Sequence, residues 1–288
     1  MNKAASVVET REWTTPQGLR LVGEVAGPEG APLVVLLHGG GQTRHSWAGA
    51  MARLVEAGYR VINYDARGHG QSDWCPEGRY RLSDRVEDLA TVVDGIDQPI
   101  GLVGASLGGA TALCAVAAGV RAEAVVMVDI VPDAEAEGID HIRQFMRSGA
   151  DGFGSLDEVA DAVAAYNPER PRPSDPAGLM KNLRHGPEGR LHWHWDPRIL
   201  DDGDHAREAM KAASLSLARS GAPSLLVVRG IKSDVVSDAG VAAFRAILPD
   251  IEVADVASAG HMVAGDRNDA FNQAVLGFLG RVLSPEPC

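Results

Sequence analysis

Cysteine is scarce in this sequence. Its 288 residues include only Cys75, Cys114 and Cys288, an odd number scattered along the chain. A disulfide framework needs paired cysteines at short, regular spacings, so a small disulfide-rich secreted fold is excluded and a reducing compartment is favoured. The first residues, Met1 to Val8, contain no apolar segment of the kind found in signal peptides. We therefore expect a cytoplasmic protein.

Long apolar runs and an excess of basic residues are also missing. No stretch approaches the roughly 18 uninterrupted apolar residues that a membrane-spanning helix needs. The 27 Lys and Arg residues against 39 Asp and Glu residues give a formal net charge of −12. A field of that sign repels nucleic acid and anionic membrane surfaces, so we expect neither as a partner. The remaining composition, 45% hydrophobic and 23% charged, is that of a globular protein with a large core.

The sequence does contain a repeated alternation of buried strands and helices. Leu33–Leu37 is a continuous apolar run, which is typical of a strand that is buried on both faces of a parallel sheet. Similar runs follow at Arg60–Tyr64, Ile100–Val103 and Ala124–Asp129, and segments with helical spacing separate them. This alternation predicts an α/β fold with a mostly parallel sheet and helices on both of its faces.

Two other patterns outline the domain organisation. Val7–Trp13 and Leu19–Ala26 flank a Thr-Pro-Gln-Gly turn, which predicts an antiparallel hairpin at a sheet edge. The buried-strand pattern stops after Pro132 and returns at Ser224, with helical pieces, proline-rich connectors and aromatic residues in between. We therefore predict a core formed by residues 1–132 and 215–288, and a helical cap inserted at 133–214.

A Gly-x-Ser-x-Gly sequence follows one of the predicted strands. Ser106 lies in Gly104-Ala105-Ser106-Leu107-Gly108-Gly109, between the strand at Ile100 and a run of small helix-forming residues. A strand, this pentapeptide and a helix form a nucleophile elbow, a sharp turn that lifts the serine hydroxyl above the sheet. The glycines are needed because a Cβ atom there would collide with the neighbouring elements. We predict Ser106 as a catalytic nucleophile.

A serine nucleophile needs a histidine base and a carboxylate that orients the histidine. His261 follows a late predicted strand and comes after the serine in chain order, so we predict it as the base. Two aspartates remain open as the acid. Asp234 follows the strand Ser224–Arg229 in a polar loop and is favoured, whereas Asp129, at the end of an earlier strand, is the alternative.

The same chemistry needs two backbone N–H groups that stabilise a developing oxyanion. One is expected from Leu107, the residue after the serine, at the N-terminus of its helix. The other is expected from the glycine loop His38-Gly39-Gly40-Gly41, which follows the strand Leu33–Leu37 and whose backbone can approach a substrate closely. Within this loop we predict Gly40 as the donor.

These motifs together resemble those of α/β-hydrolase-fold serine hydrolases of the cap-bearing group, which includes carboxylesterases, lactonases, C–C bond hydrolases and cofactor-free haloperoxidases. The residues that carry the resemblance are His38-Gly39-Gly40-Gly41, Asp65 to Ser72, Gly104 to Gly109, Asp234 and Gly260-His261. The resemblance implies an eight-stranded, mostly parallel sheet with a helical cap, no cofactor, and a structural role for the Asp65 to Ser72 loop. It also argues against epoxide hydrolases and haloalkane dehalogenases, which carry an aspartate where this chain has Ser106.

The expected activity is therefore hydrolysis of a small-molecule carboxylic ester or lactone through an acyl-enzyme. The same triad also serves C–C bond hydrolysis and perhydrolase or haloperoxidase-type reactions, so these stay open as alternatives. A ligand receptor of the same fold that turns over slowly is the alternative from outside the enzymes.

Aromatic residues are candidates for substrate binding. Trp193 and Trp195 lie in the predicted cap and are expected to hold the cap on the core or to line a pocket. Trp47 follows the glycine loop and is expected to line the pocket too. His192 and His194 alternate with the two tryptophans, but no third ligand is spaced for zinc, so no metal is expected. The acidic run at 201–204 is expected to be a solvated turn, with calcium as a weaker alternative.

Overall fold

A computed structural model describes residues 7–168, 171–201, 205–257 and 269–285. In chain order, the strands of these ranges are β1 (Glu9–Thr14), β2 (Arg20–Ala26), β3 (Leu33–Leu37), β4 (Arg60–Tyr64), β5 (Ile100–Ala105), β6 (Ala124–Val128), β7 (Leu183–His185), β8 (Leu191–Trp193), β9 (Ser224–Gly230) and β10 (Glu252–Val256). The α-helices are α1 (Ala48–Glu56), α2 (Leu82–Val92), α3 (Leu107–Ala117), α4 (Ala136–Arg147), α5 (Leu156–Tyr166), α6 (His205–Ser220), α7 (Asp238–Ile247) and α8 (Asp269–Val282).

An eight-stranded sheet forms the centre of the described chain, in the order β1-β2-β4-β3-β5-β6-β9-β10. From β4 to β10 all neighbours in this order are parallel, whereas β1 and β2 are antiparallel to each other and β2 is antiparallel to β4. The predicted mostly parallel sheet and its edge hairpin are therefore confirmed.

Alternating side chains of the central strands pack into two separate apolar cores. Leu33, Val35 and Leu37 of β3 face one core, which α2, α3, α6 and α7 cover. Val34 and Leu36 face the other core, which α1 and α8 cover. Because β3 is buried on both faces, a continuous apolar sequence forms this strand rather than an alternating one.

The insertion, residues 133–214, lies between β6 and β9. It contains α4, α5, short 3-10 helices at Pro176–Asn182 and Pro197–Asp201, and the small antiparallel hairpin of β7 and β8. A third apolar cluster, which includes Met146, Phe153 and Trp193, holds these pieces together. The sequence pattern did not predict α6, and the proposed boundary at Ser214 lies inside this helix, which packs on the core through Met210 and Leu217.

No helix within the described ranges is both long enough and apolar enough to cross a bilayer.

Alanine substitutions at two glycines near helix N-termini test whether the stability of the fold depends on the close approach of α3 to the sheet. Gly108 and Gly49 each occupy the second position of a helix, but a Cβ on Gly108 would lie 2.2 Å from the carbonyl oxygen of Leu37, whereas one on Gly49 meets nothing within 4 Å. Gly108→Ala should lower the free energy of unfolding by at least about 2 kcal/mol because backbone atoms must move. Gly49→Ala should raise it by about 0.5–1 kcal/mol through helix propensity. Urea unfolding measures both, and equal effects would contradict the prediction.

Candidate active site

Ser106 lies in a strained turn between β5 and α3. Its φ is 46° and its ψ is −112°, in a region of backbone conformation that residues other than glycine rarely adopt. The turn is so tight that a Cβ atom on Gly104 would lie 2.3 Å from the backbone of Gly108. The main-chain N–H of Ser106 donates to the carbonyl of Val128 at 2.9 Å, which ties the turn to β6. This is the geometry of a nucleophile elbow.

Two backbone N–H groups next to Ser106 have no hydrogen-bond acceptor within the described ranges. Leu107 is the first residue of α3, and the first N–H groups of a helix have no partner within it. In the glycine loop, the N–H of Gly39 donates to Gln42 Oε1 and that of Gly41 donates to His69 Nε2, both at 3.1 Å. Among the described residues, no acceptor is found for the N–H of Gly40.

Gly40 and Leu107 are also close in space. A Cβ atom built on Gly40 would lie 3.8 Å from the Leu107 side chain and 3.6 Å from the sulfur of Met146. The loop after β3 and the N-terminus of α3 therefore meet beside Ser106, while the role of the two N–H groups as an oxyanion hole stays a prediction.

Three buried histidines connect the loops around the elbow. His38 Nδ1 donates to the Gly39 carbonyl at 2.8 Å, and its Nε2 accepts from the N–H of Ala66 at 2.9 Å. His69 Nε2 accepts from Gly41, and His194 Nδ1 accepts from the N–H of Gly70 at 2.8 Å. Each ring thus accepts a backbone hydrogen bond, which requires a neutral imidazole.

The electrostatic surroundings keep these rings neutral. Burial lowers the pKa of His38 below its usual value and lowers that of His69 well below it. Burial lowers the pKa of His194 to about 4. The three rings also lie near one another, with centroids 5.0 Å apart for His38 and His69 and 5.9 Å apart for His69 and His194. A charge on one ring therefore disfavours a charge on the next.

The loop from Asp65 to Ser72 is held by buried ion pairs and hydrogen bonds. The carboxylate of Asp65 accepts from the side chain of Arg44 and from the N–H of Gln71 at 3.0 Å. Ser72 Oγ donates to the Asp65 carbonyl and accepts from the N–H of Val22. These contacts give Asp65 and Ser72 the structural role that the resemblance implies.

Asp129 lies directly beside the elbow. In the pairing of β5 with β6, Ala105 is opposite Val128. Ser106 and Asp129 are therefore the residues that directly follow these two strands, side by side. Asp129 is 1% exposed and has a φ of 51°. Its Oδ2 accepts from Ser233 Oγ at 2.6 Å and its Oδ1 accepts from the N–H of Gly230 at 3.3 Å. These bonds fix the position of the carboxylate.

Asp234 lies nearer to solvent than Asp129 does. It follows β9 by four residues, and its side chain is 51% exposed. Its Oδ2 is 3.4 Å from Nδ1 of His141 in α4. The structure therefore brings Asp129, rather than Asp234, next to Ser106.

His261 lies outside the described residues, in the segment between β10 and α8. The parallel strand β10 ends at Val256, at the same edge of the sheet as Ser106 and Asp129. The chain therefore leaves β10 from the edge that carries the elbow.

A cavity of about 1060 Å³ opens above Ser106, between the core and the insertion. The glycine loop, Ser106 and Leu107 border it on the core side, and Phe145, Trp193 and Trp195 border it on the insertion side. The two tryptophan rings are stacked with centroids 4.9 Å apart, so the sequence prediction that they line a pocket agrees with their position. The cavity is large enough for a drug-sized ligand.

Trp47 lies elsewhere. It is 1% exposed and packs against Phe271 of α8, with ring centroids 6.0 Å apart, in the core on the side of α1 and α8. Within the described part of the chain, it is not among the residues that border the large cavity. The prediction that Trp47 binds substrate is therefore not supported by its position.

His192 and His194 have different surroundings. His192 pairs with Glu188 in the loop before β8, whereas the buried His194 accepts from Gly70. Among the described residues, no group of three or more His, Cys, Asp or Glu side chains could hold a metal ion. Of the acidic run at 201–204, only Asp201 is described.

Comparison with known proteins gives consistent results. The sequence profile of the alpha/beta hydrolase family matches residues 34–274. The esterase Rv0045c of Mycobacterium tuberculosis is 32% identical over 258 residues, which cover 86% of this chain and 83% of that protein. The 2-(acetamidomethylene)succinate hydrolase of Mesorhizobium japonicum is 27% identical over 237 residues, 81% of this chain and 82% of that protein. An alpha/beta hydrolase structure from Novosphingobium aromaticivorans has a TM-score of 0.80 at 25% identity and covers 97% of this chain and 100% of that one.

The buried histidines predict a loss of stability in acid. Because their folded pKa values lie below the unfolded value of about 6.5, the native state binds fewer protons, and the free energy of unfolding falls as the pH drops below that value. His194→Asn keeps an acceptor for Gly70 but cannot be protonated. Between pH 7 and 4.5 it should lose about 1–3 kcal/mol less than the wild type, because the pKa of His194 is about 4.

Urea unfolding at several pH values measures this difference. His185→Asn, at an exposed histidine of the same insertion, is the control and should keep the wild-type pH dependence. If His194→Asn and the wild type lose stability equally in acid, His194 does not titrate as argued.

Proposed function

The chain belongs to the alpha/beta hydrolase family, and from this premise we propose that it is a serine hydrolase that cleaves small carboxylic esters, with lactones as cyclic esters in the same class. The observation that carries the proposal is the strained Ser106 at the floor of a large cavity, beside the N–H groups of Leu107 and Gly40, for which no acceptor is found among the described residues. The esterase relative supports ester hydrolysis among the reactions of this family.

In the proposed mechanism Ser106 Oγ attacks the ester carbonyl carbon while His261 takes the hydroxyl proton. The tetrahedral intermediate collapses, and the alcohol leaves with the proton from His261. Water then attacks the acyl-enzyme, again with His261 as the base, and the carboxylic acid is released. The N–H groups of Leu107 and Gly40 stabilise the oxyanion in both steps.

We propose Asp129 as the acid of this triad, in place of the Asp234 favoured by sequence. Three observations support this assignment. Asp129 is buried, it directly follows β6 beside Ser106, and its carboxylate is already oriented by hydrogen bonds from Ser233 and Gly230. A carboxylate has about four acceptor sites, so Asp129 can also accept from a histidine N–H. The exposed Asp234 is less suited because solvent screens its charge.

Replacement of Ser106 tests the reaction. Ser106→Ala should lose hydrolysis of p-nitrophenyl and methylumbelliferyl esters by at least about 10³-fold, because the nucleophile is removed, and should lose covalent labelling by a fluorophosphonate. Ser83→Ala removes another serine hydroxyl that borders the cavity and should keep both properties. A panel of esters and lactones of increasing chain length then defines the substrate class.

Ester hydrolysis that persists in Ser106→Ala would contradict the proposed nucleophile. A stoichiometric burst without sustained turnover in the wild type would instead favour a ligand receptor.

The two aspartates are distinguished by a pair of amide variants. Asp129→Asn should lower kcat by about 10³–10⁴-fold, because an amide at this position favours the wrong histidine tautomer. Asp234→Asn should change kcat by less than about 5-fold, because an exposed carboxylate contributes little. Steady-state kinetics with one activated ester measures both variants, and the reverse ranking would restore Asp234 as the acid.

A further inference from the structure

A buried arginine borders the same cavity as Ser106 without a carboxylate of its own. Arg85 lies in the first turn of α2 and is 3% exposed. Its Nη1 donates to the carbonyl of Arg67 at 3.5 Å, a long hydrogen bond. Its Nε and Nη2 are buried, and neither has a hydrogen-bond partner in the structure as described.

The neighbouring carboxylates are already bound to another arginine. Asp88 accepts from Nε and Nη2 of Arg67, both at 2.6 Å, and Asp84 lies 3.7 Å from Nη1 of the same residue. Asp84 also accepts from the N–H of Arg81 at 2.9 Å. Nε and Nη2 of Arg67 thus bind the two oxygens of Asp88, whereas the same two atoms of Arg85 bind no carboxylate among the described residues.

A buried guanidinium whose Nε and Nη2 lack partners is costly, because the protein does not replace the hydrogen bonds that water makes to these groups in the unfolded chain. Burial lowers the pKa of Arg85 to about 10, so it remains a cation near neutral pH. Natural proteins usually pair such a charge, and an unpaired one beside a cavity indicates a ligand that supplies the missing anion.

Most of the charged side chains that border the cavity are also basic. Although the chain carries a net charge of −12, one acidic residue, Asp175, borders the cavity in the described ranges. The basic Lys and Arg residues that border it are Arg81, Arg85, Arg143, Lys181 and Arg207. Thr43 adds a buried hydroxyl, 2% exposed, whose Oγ1 has no partner among the described residues. Arg207 already pairs with Asp133 at 2.8 Å, but the other cations still make the cavity more suited to an anion than to a cation.

We propose that the cavity takes esters that carry a second, ionised carboxyl group, and that Arg85 binds this carboxylate while Ser106 attacks the ester. Nε and Nη2 of Arg85 are covered by neighbouring atoms, so the guanidinium must turn toward the cavity to bind the substrate. These two groups then form a planar fork that matches the two oxygens of a carboxylate. The substrate class is then the half-esters of dicarboxylic acids or related acidic esters. This inference rests on the proposed ester hydrolysis.

A pair of substrates that differ only in the terminal group tests the inference. 4-Methylumbelliferyl hexanoate ends in a methyl group, and mono(4-methylumbelliferyl) adipate has the same chain length but ends in a carboxylate. The wild type should show a higher kcat/KM for the adipate. In Arg85→Met the ratio of adipate to hexanoate kcat/KM should fall by about 10–100-fold, mainly through KM, because a charge-assisted pair is lost. The ratio for Arg85→Lys should lie between those of the wild type and Arg85→Met, because lysine keeps the charge but not the planar pair of donors.

The control is Lys181→Met, which removes an exposed cation that also borders the cavity. It should change the selectivity ratio by less than about 2-fold, because solvent screens exposed charges. A ratio in a folded Arg85→Met variant that matches the wild type would overturn the inference. If Arg85→Met does not fold, an unchanged ratio in Arg85→Lys has the same meaning.

Binding separates this inference from the proposed function. In the Ser106→Ala background, calorimetry should show that monoethyl adipate binds at least about 10-fold more weakly when Arg85→Met is added, since the paired carboxylate is lost. If the wild type hydrolyses neither ester but this difference is found, ester hydrolysis is wrong and the anion site stands. If esters are hydrolysed and the difference is missing, ester hydrolysis stands and the anion site is wrong.

Discussion

The close backbone contact between the start of α3 and the ends of β3 and β5 determines the geometry of the candidate site. Gly108 lies against the Leu37 carbonyl and Gly104 against Gly108, with no room for a Cβ at either position. This contact holds Ser106 in a positive-φ conformation at the sheet edge, directly before the first N–H of the helix. The strain is tolerated because the strands on both sides of β5 are fixed by two apolar cores.

Buried polar residues at the carboxyl ends of the strands hold the loops around Ser106 in place. Neutral histidines accept backbone hydrogen bonds from the loops after β3 and β4, so those loops keep one position, and His194 extends the network into the insertion. The network leaves particular groups free beside the cavity, namely the N–H of Gly40 among the described residues and the fork of Arg85. Polar groups without partners that border the cavity are those that a substrate can bind.

Much of the fold could be predicted because its strands are buried on both faces. The continuous apolar runs of β3, β5 and β6 correspond closely to the observed strands. The helix α6 was missed, since its sequence, with an apolar stripe interrupted by Lys and Ser, gives a weak helical pattern. The position of Trp47 was also misjudged, because nearness to the glycine loop in sequence does not specify the side of the sheet that a side chain faces.

The sequence by itself determined the elbow, the glycine loop and their order along the chain, because these depend on local backbone conformations that only particular residues adopt. Only the tertiary structure decided which carboxylate lies beside Ser106 and which buried arginine has no hydrogen-bonded carboxylate among the described residues. Asp129 and Asp234 both follow strands, but the pairing of β5 with β6 brings the first next to the elbow and leaves the second near solvent. Strand order, register and the pairing of Asp88 with Arg67 rather than with Arg85 arise from contacts in the folded chain, which local sequence patterns do not encode.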